Sequence, residues 1–316
     1  MLGGEVRGWS RWQRGQVLAS CAVFVACLLV LHRLVPNGVG HLGSLLETFL
    51  PWLGLGIPAL VVLSLLRRSV VALLAVLVPV TAWLGLFGGL LLPGTGSEYD
   101  LTAVAHNVSD ENPDPAGTAT TLMAVRPDLI GLAEVTPAAL PAYRATLAPE
   151  YPHHTVHGTV GLWSRYPLTD ARLVDIRPDG FGADWDRGLR ATARTPWGDV
   201  AVYVAHLPSV RLGLPDGFGT VRRDQSAVLL GRALRAERSE RVVLLGDLNS
   251  TVDDRGLEPV RAQLPSVGSG FAFSWPAALP VARIDQVMAR AATITEIWSL
   301  PATGSDHLPI GARLRF

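Results

Sequence analysis

The chain has 316 residues, enough for one large domain or two small ones, and its formal net charge is zero. All 27 basic residues are arginine, which excludes Schiff-base and phosphate-loop lysine chemistry. The two cysteines, Cys21 and Cys27, both fall in the first apolar run, so a thiol nucleophile, a cysteine zinc site and an internal disulfide are excluded from everything after it.

In chain order, three apolar stretches come first, at about 16–35, 48–66 and 70–92. Each approaches or exceeds the ~20 residues that cross a ~30 Å hydrocarbon core, and they predict three transmembrane helices forming an anchor over 1–96. Pro51, Pro58 and Pro79 are tolerable there, because neighbouring helices can satisfy the freed backbone groups. The basic start (Arg7, Arg11, Arg14) and the apolar run after it also fit a signal peptide, but the run is long and two more follow, which favours a retained helix. Arginines alternate across the stretches: three before the first, Arg33 after it, Arg67 and Arg68 after the second, and none after the third until Arg126. This pattern predicts a multi-pass cell-membrane protein with its N-terminus in the cytoplasm and the domain after the spans outside it. Spans two and three carry no charge at depth, which argues against a transporter or channel. The segment PGTGSE (93–98) reads as a linker.

Residues 97–316 have the composition of an ordinary globular domain and are slightly acidic, with 25 acids against 21 arginines. That lends no support to a basic nucleic-acid-binding face. Alternating or continuous apolar runs predict strands at 99–106, 128–135, 159–164, 171–176, 188–194, 199–207, 241–248, 283–290 and 293–300, with a last short strand at LPI (308–310). Helical patterns fit 117–126, 137–147, 221–238 and 255–263. This mixture indicates an α/β sandwich. The Gly- and Pro-rich stretch 207–220 reads as a mobile loop, with Arg211 and Phe218 as candidates for substrate contact. His153, His154 and His157 look like a metal tract, but they fall at loop and strand edges, and packing or surface roles account for them better.

Several strands end abruptly in groups that bind metals or move protons: His106-Asn107, Glu134, His206 and Asp247-Leu248-Asn249; Ser305-Asp306-His307 stands just before the last short strand. Ligands gather at such strand ends. Each alone has a plain reading as turn, cap or surface residue; their conjunction and order carry the signal. AHNV (105–108), LAEV (132–135), GLWSRYPL (161–168), AHLP (205–208), RRDQ (222–225), GDLN (246–249), RIDQV (283–287) and SDHLP (305–309) resemble the endonuclease/exonuclease/phosphatase family, the deoxyribonuclease-I-like phosphoesterases. GLWSRYPL and SWPA (274–277) resemble its bacterial membrane-anchored branch. The resemblance covers about 100–316. It implies a four-layer α/β sandwich, two central sheets flanked by helices, and phosphoester hydrolysis assisted by Mg²⁺ or Mn²⁺.

Carried over by position, the resemblance makes Glu134 the main metal ligand, helped by Asn107 and Asp306. Asp247 orients or deprotonates the attacking water, Asn249 holds a phosphate oxygen, and His307 contacts the scissile phosphate with Asp285 fixing its ring. His206 stands on the other side of the phosphate, and Arg222 and Gln225 serve as structural support. Two positions depart from the family's pattern: Ala133 stands where Gln is frequent, and Ser109 where many members carry a second acid. The expected partners are the lipid bilayer and a phosphoester substrate: a lipid phosphate, a nucleic acid or a small phosphodiester. Nothing in the sequence calls for an obligate protein partner. The competing expectation is a non-catalytic binding or scaffold protein that keeps the fold.

Overall fold

The computed structural model describes residues 13–92, 98–214 and 217–316. The linker expected at 93–98 lies outside these except for Glu98, as do Arg7 and Arg11 of the basic N-terminal tail. Contacts divide the chain into two units, Met1–Pro36 with Phe49–Gly89 and Asn37–Thr48 with Leu90–Phe316.

In the first unit, helices α1 (Gln13–Val30), α3 (Gly56–Leu66) and α4 (Val70–Phe87) pack around Ala22, Leu60 and Val76. The Ser69 hydroxyl caps α4 by accepting from Ala72 N at 3.3 Å. Three membrane spans are not what the described residues contain. One helix, Val70–Leu91, is long and apolar enough to cross a membrane, and Leu42–Leu66 adds a second only if its two bent pieces count as one span. The first stretch forms an apolar helix that stops at Val30, before the 3-10 turn His32–Leu34. The second is broken because Pro51 lacks an N–H and Gly54 and Gly56 are poor helix formers. A 3-10 segment, Leu50–Leu55, replaces the α-helix there and leaves α3 only 11 residues.

The second unit is built on two sheets. One has the order β12-β13-β1-β2-β4-β3, the other β11-β10-β7-β6-β5. Strands β1 (Leu101–Asn107) and β2 (Leu129–Ala133) run parallel, as do β7 (Gly198–Ala205) and β10 (Val242–Asp247). The other members are β3 (His153–His157), β4 (Val160–Ser164), β5 (Leu168–Leu173), β6 (Gly188–Thr195), β11 (Asp285–Arg290), β12 (Thr293–Ser299) and β13 (Ile310–Arg315). The central strands are buried on both faces, which is why they read as continuous apolar runs rather than alternations.

Between the sheets, Ala103, Ala105 and Leu129 of one meet Val202, Val204 and Leu245 of the other in one cluster. Helices α5 (Pro115–Met123) and α6 (Leu140–Leu147) cover the first sheet through Leu122, Tyr143 and Leu147. Helices α7 (Val221–Ala236) and α8 (Glu258–Arg261) cover the second through Leu230, Leu234 and Val260. The result is the helix, sheet, sheet, helix layering that the sequence implied. The strand β3, which the apolar pattern missed, is the edge strand carrying the three histidines. His154 stacks on Trp163 at 6.0 Å, and none of the three joins a group able to hold a metal among the described residues.

A buried ionic knot ties β6 and β7 to the C-terminal end of α7. Arg190 Nε donates to Glu237 Oε2 at 3.0 Å, and Tyr203 Oη donates to the same oxygen at 2.9 Å. Burial raises the Glu237 pKa, but the Ser239 N–H, Arg190 and Tyr203 outweigh it and pull the carboxyl down to about 2. A depressed carboxyl pKa contributes stability that is present above the unfolded value and lost as pH falls toward the folded one. Glu237→Ala is therefore expected to cost about 1–3 kcal/mol at neutral pH, from the buried donors it strands. In denaturant titrations the gap to wild type should narrow as pH drops from 5 toward 2; a gap independent of pH would refute the assignment.

Candidate active site

The sheets bring their polar strand ends to one edge. Asn107 ends β1, Glu134 follows β2, Asp247 ends β10 and Asp285 begins β11, opposite Asp247 in register. Asp306 and His307 lie just before β13, and His206 just after β7. Glu134, Asn249 and Ser109 hold positive φ angles of 62°, 46° and 62°. Such backbone is sparsely populated by non-glycine residues and is found where surrounding structure fixes a functional loop.

These residues converge. Asn107 Nδ2 donates to Asp247 Oδ2 at 3.0 Å, and Asn249 N donates to Asp247 Oδ1 at 2.9 Å. His307 Nδ1 lies 2.7 Å from Asp285 Oδ2, and His307 Nε2 lies 3.9 Å from Asp247 Oδ2. His206 Nε2 is 3.7 Å from Glu134 Oε1 and 3.6 Å from Asp247 Oδ2. Glu134 Oε2 accepts from Asp110 N at 3.2 Å. A cleft of about 520 Å³ opens over them, lined by Asn107, Glu134, Asp247, Asn249, Asp306, His307 and Arg211 among others.

Two placements differ from expectation. His206 is fully buried, so it reaches the cleft only from behind Glu134 and Asp247 rather than flanking it with exposed surface. The Asn249 amide spends its donors on Leu207 O at 2.9 Å and Asp247 Oδ2 at 3.2 Å, so in this state it steadies Asp247 and offers no donor to a phosphate. Within RRDQ the buried residue is Arg223; Arg222 lies over the Phe181 ring and Gln225 bonds Asp179 at the surface.

The sequence reading missed four supporting residues. Ser305 donates to Asn107 O at 2.7 Å and accepts from His307 N at 3.0 Å, tying the first strand to the last loop. Ser274 accepts from Asp285 N at 3.2 Å. Arg187 places one guanidinium nitrogen 3.1 and 3.3 Å from the two ring nitrogens of His206. Arg223 donates to Asn249 O at 3.1 Å. Ser305, Ser274 and Arg223 sat inside quoted motifs without a role of their own; nothing local marked Arg187.

The electrostatics divide the site. Burial lifts the Asp247 carboxyl well above the usual range, opposed by His307 and reinforced by Asp285. Burial works against a charged His307, but Asp285 and then Asp247 outweigh it and raise its pKa. His307 is thus a cation at neutral pH, held by Asp285. Burial, then Arg187 and His307, hold His206 well below the ordinary histidine value, so it stays neutral.

Asp247, Asp285 and His307 bring ligand atoms within 4.8 Å of one another. A cationic His307 bonded to Asp285 is a poor ligand, since a metal takes the neutral ring. Better donors share the lining of the cleft: Asp110, Glu111, Glu134 and Asp306 join Asp247 there, beside Arg211 and His307, an excess of hard oxygen donors that suits a divalent cation.

Gly246 is required just before Asp247. Its φ is +144°, and a Cβ there would stand 1.9 Å from Ala205 O. Gly246→Ala is expected to cost about 3 kcal/mol or more, since neither backbone nor neighbour can yield. A thermal unfolding midpoint within a degree of wild type would contradict this.

Two flanked sheets with an acid- and histidine-lined cleft at their edge define a phosphoesterase-like α/β sandwich. The sequence profile of the Endonuclease/Exonuclease/phosphatase family matches residues 89–307, and the chain belongs to that family. No curated protein matches it in sequence. Among solved structures, an endonuclease/exonuclease/phosphatase from Bacteroides vulgatus is similar at 20% identity and a TM-score of 0.55, over 69% of this chain and all 100% of that one. A beta toxin mutant from Staphylococcus aureus with bound magnesium ions is 17% identical with a TM-score of 0.54, over 68% and 99% of the two chains. Sphingomyelinase C from Streptomyces griseocarneus is 19% identical with a TM-score of 0.50, over 67% and 98%.

Proposed function

We propose that the chain is a membrane-tethered hydrolase of phosphoester bonds that depends on a divalent cation, Mg²⁺ or Mn²⁺. The observation that carries this reading is the pairing of a buried, proton-attracting Asp247 with a cationic His307 in one cleft, beside the metal-type donors Glu134, Asn107 and Asp306. The cation, when bound, would neutralise charge on the phosphate. Glu134 would hold it, with Asn107 Oδ1 and Asp306 in support.

The protein's own groups then divide the labour. Asp247 orients the attacking water and accepts its proton; its raised pKa suits a general base. Asn107 and Asn249 fix the Asp247 carboxylate through the hydrogen bonds described above. His307 sets a fixed positive charge against the phosphate oxygens, and Asp285 holds its ring. His206 remains a neutral ring beside Glu134 and Asp247, with Arg187 against its ring nitrogens.

Substrate class follows from charge. The cleft lining carries one arginine, Arg211, against five carboxylates, too little to neutralise a polynucleotide. A compact phosphodiester, such as a lipid headgroup, suits it better, and the named activity of the Streptomyces griseocarneus relative points the same way. The test is a substrate panel on the full chain in detergent. Phosphodiester lipids are expected to turn over faster than single- or double-stranded DNA and than phosphomonoesters; DNA as the best substrate would overturn the lipid assignment.

The proposed location is the cell membrane, with the catalytic unit outside the cytoplasm. The arginine distribution supports it, with Arg67 and Arg68 before Val70–Leu91 and no basic residue after it until Arg126. Asn37–Thr48 belongs to the catalytic unit, so the same reading places it outside the cytoplasm. With Cys21 and Cys27 replaced by Ser, Asp199→Cys should react with an impermeant thiol reagent on intact cells and Arg68→Cys should not. The reverse pattern would invert the topology.

A further inference from the structure

We infer that Asn37–Thr48, with Glu47 as its key residue, is a brace that positions the catalytic loop and the substrate loop; the inference rests on the hydrolase reading of the cleft. This segment lies between the first two apolar stretches in the sequence, yet it docks on the catalytic unit through two sets of contacts.

The first set is ionic. Glu47, on α2 (Leu42–Thr48), is fully buried. Its Oε2 accepts from Arg255 Nε at 2.8 Å and from Arg255 N at 2.9 Å, and its Oε1 accepts from an Arg255 terminal nitrogen at 2.9 Å. The preceding residue, Asp254, accepts from Arg223 at 2.8 Å, and Arg223 donates to Asn249 O at 3.1 Å. Asn249 in turn holds Asp247. A continuous polar path thus joins Glu47 to the proposed general base. Arg223 and Asp254 are each 1% exposed, so water cannot stand in for a missing partner.

The second set grips the substrate loop. Gly40 O accepts from Phe218 N at 3.0 Å. Thr220 Oγ1 lies 3.2 Å from His41 Nδ1 and donates to Asp224 at 2.8 Å; Asp224 accepts from Arg223 Nε at 2.6 Å. Phe218 pairs with Leu212, next to Arg211 in the cleft, and Gly219 N donates to Arg211 O at 3.0 Å. The fit is close and uses glycines. A Cβ on Gly217 would stand 2.5 Å from Gly40 Cα, and one on Gly43 would stand 2.6 Å from Arg255 Cζ. An incidental contact would not bring two glycines this close and bury a carboxylate.

Both ends of the path converge on Arg223, so loosening the brace should release Asn249 and Arg211 together while the sheets stay folded. The full chain in detergent is compared with Glu47→Gln and with Gly43→Leu, which wedges α2 off Arg255. Hydrogen exchange should rise tenfold or more in peptides covering 208–220 and 247–255, with 199–205 unchanged as the control for folding. On a substrate that the wild type turns over, kcat should fall by about 10- to 100-fold, the usual consequence of small misplacements around a reacting group. The double variant Glu47→Arg with Arg255→Glu should recover part of the exchange protection. Unchanged exchange in both peptides would overturn the brace. A rise confined to α2, with 208–220 and 247–255 still protected, would also overturn it, leaving Glu47 a local lock. The exchange result is readable even if the wild type shows no turnover, a failure that would count against the hydrolase reading alone.

Discussion

Asp247→Asn is expected to lower kcat by about 10²–10⁴-fold, the range that general-base groups supply, with little change in KM. The same substitution should leave the protein as stable as wild type at neutral pH or more so, when no divalent cation is present. The sign follows from linkage. The folded state raises the Asp247 pKa, so the charged form is disfavoured by folding, and that cost grows as pH rises above the unfolded value of about 4. Asparagine keeps the shape and loses the charge. A divalent cation should raise the wild-type melting temperature more than that of Asp247→Asn, because only the wild type has a buried charge to relieve. An active-site residue that costs stability is the signature of a function maintained against folding. If Asp247→Asn kept wild-type kcat, or melted well below wild type without cation, the general-base role would be lost.

Glu134→Gln should act on a different quantity. Glu134 shares the cleft lining with Asn107, Asp110 and Asp306 and accepts from the Asp110 N–H, as expected of the proposed cation ligand. Removing its charge is expected to raise the cation concentration for half-activation by about 100-fold or more, as loss of a ligand does when outer partners alone cost 10–100-fold. Saturating Mn²⁺ should restore much of the rate to Glu134→Gln and none to Asp247→Asn. The Glu134 backbone, at a φ of 62°, already holds the side chain in place, so Gln should sit in the same position. Equal metal dependence in wild type and Glu134→Gln would move the ligand role elsewhere, with Asp306 the next candidate.

The sequence disclosed the catalytic unit unevenly. Strands such as VVLLGD and AVYVA are buried on both faces, so hydrophobicity alone locates them, and the polar residues that end them stand out against that background. That is why Asn107, Glu134, Asp247 and His307 stand out in the sequence, while Asp285, which begins a strand, is legible only through the resemblance carried by RIDQV. The edge strand β3 escaped because four of its five residues are only partly buried and the fifth is exposed, so no apolar face alternates along it. Arg187, Arg223 and Ser274 escaped for a different reason: their contacts are long-range, so even inside RRDQ and SWPA nothing told which residue reaches the site, and Arg187 lay in no motif at all. The anchor was over-read. Mean hydropathy counted 48–66 as a span, while Pro51, Gly54 and Gly56 decide the backbone and break it. Least visible of all was Asn37–Thr48, since a short segment between apolar stretches reads as a loop, and its ties to the catalytic unit, Glu47 with Arg255 and Gly40 and His41 with 218–220, are all long-range. A protein cut at residue 97 would lack that brace, so activity is best measured on the full chain.

The most direct test is turnover of an activated phosphodiester by the full chain in detergent, with Mg²⁺ or Mn²⁺ and then with excess chelator, beside Asp247→Asn. The expected result is hydrolysis that appears with the cation, vanishes with chelator, returns when cation is restored, and is lost in the variant. A folded, cation-saturated wild type that hydrolyses neither the activated diester nor any member of the phospholipid panel would contradict the account and leave the chain a non-catalytic bearer of the fold.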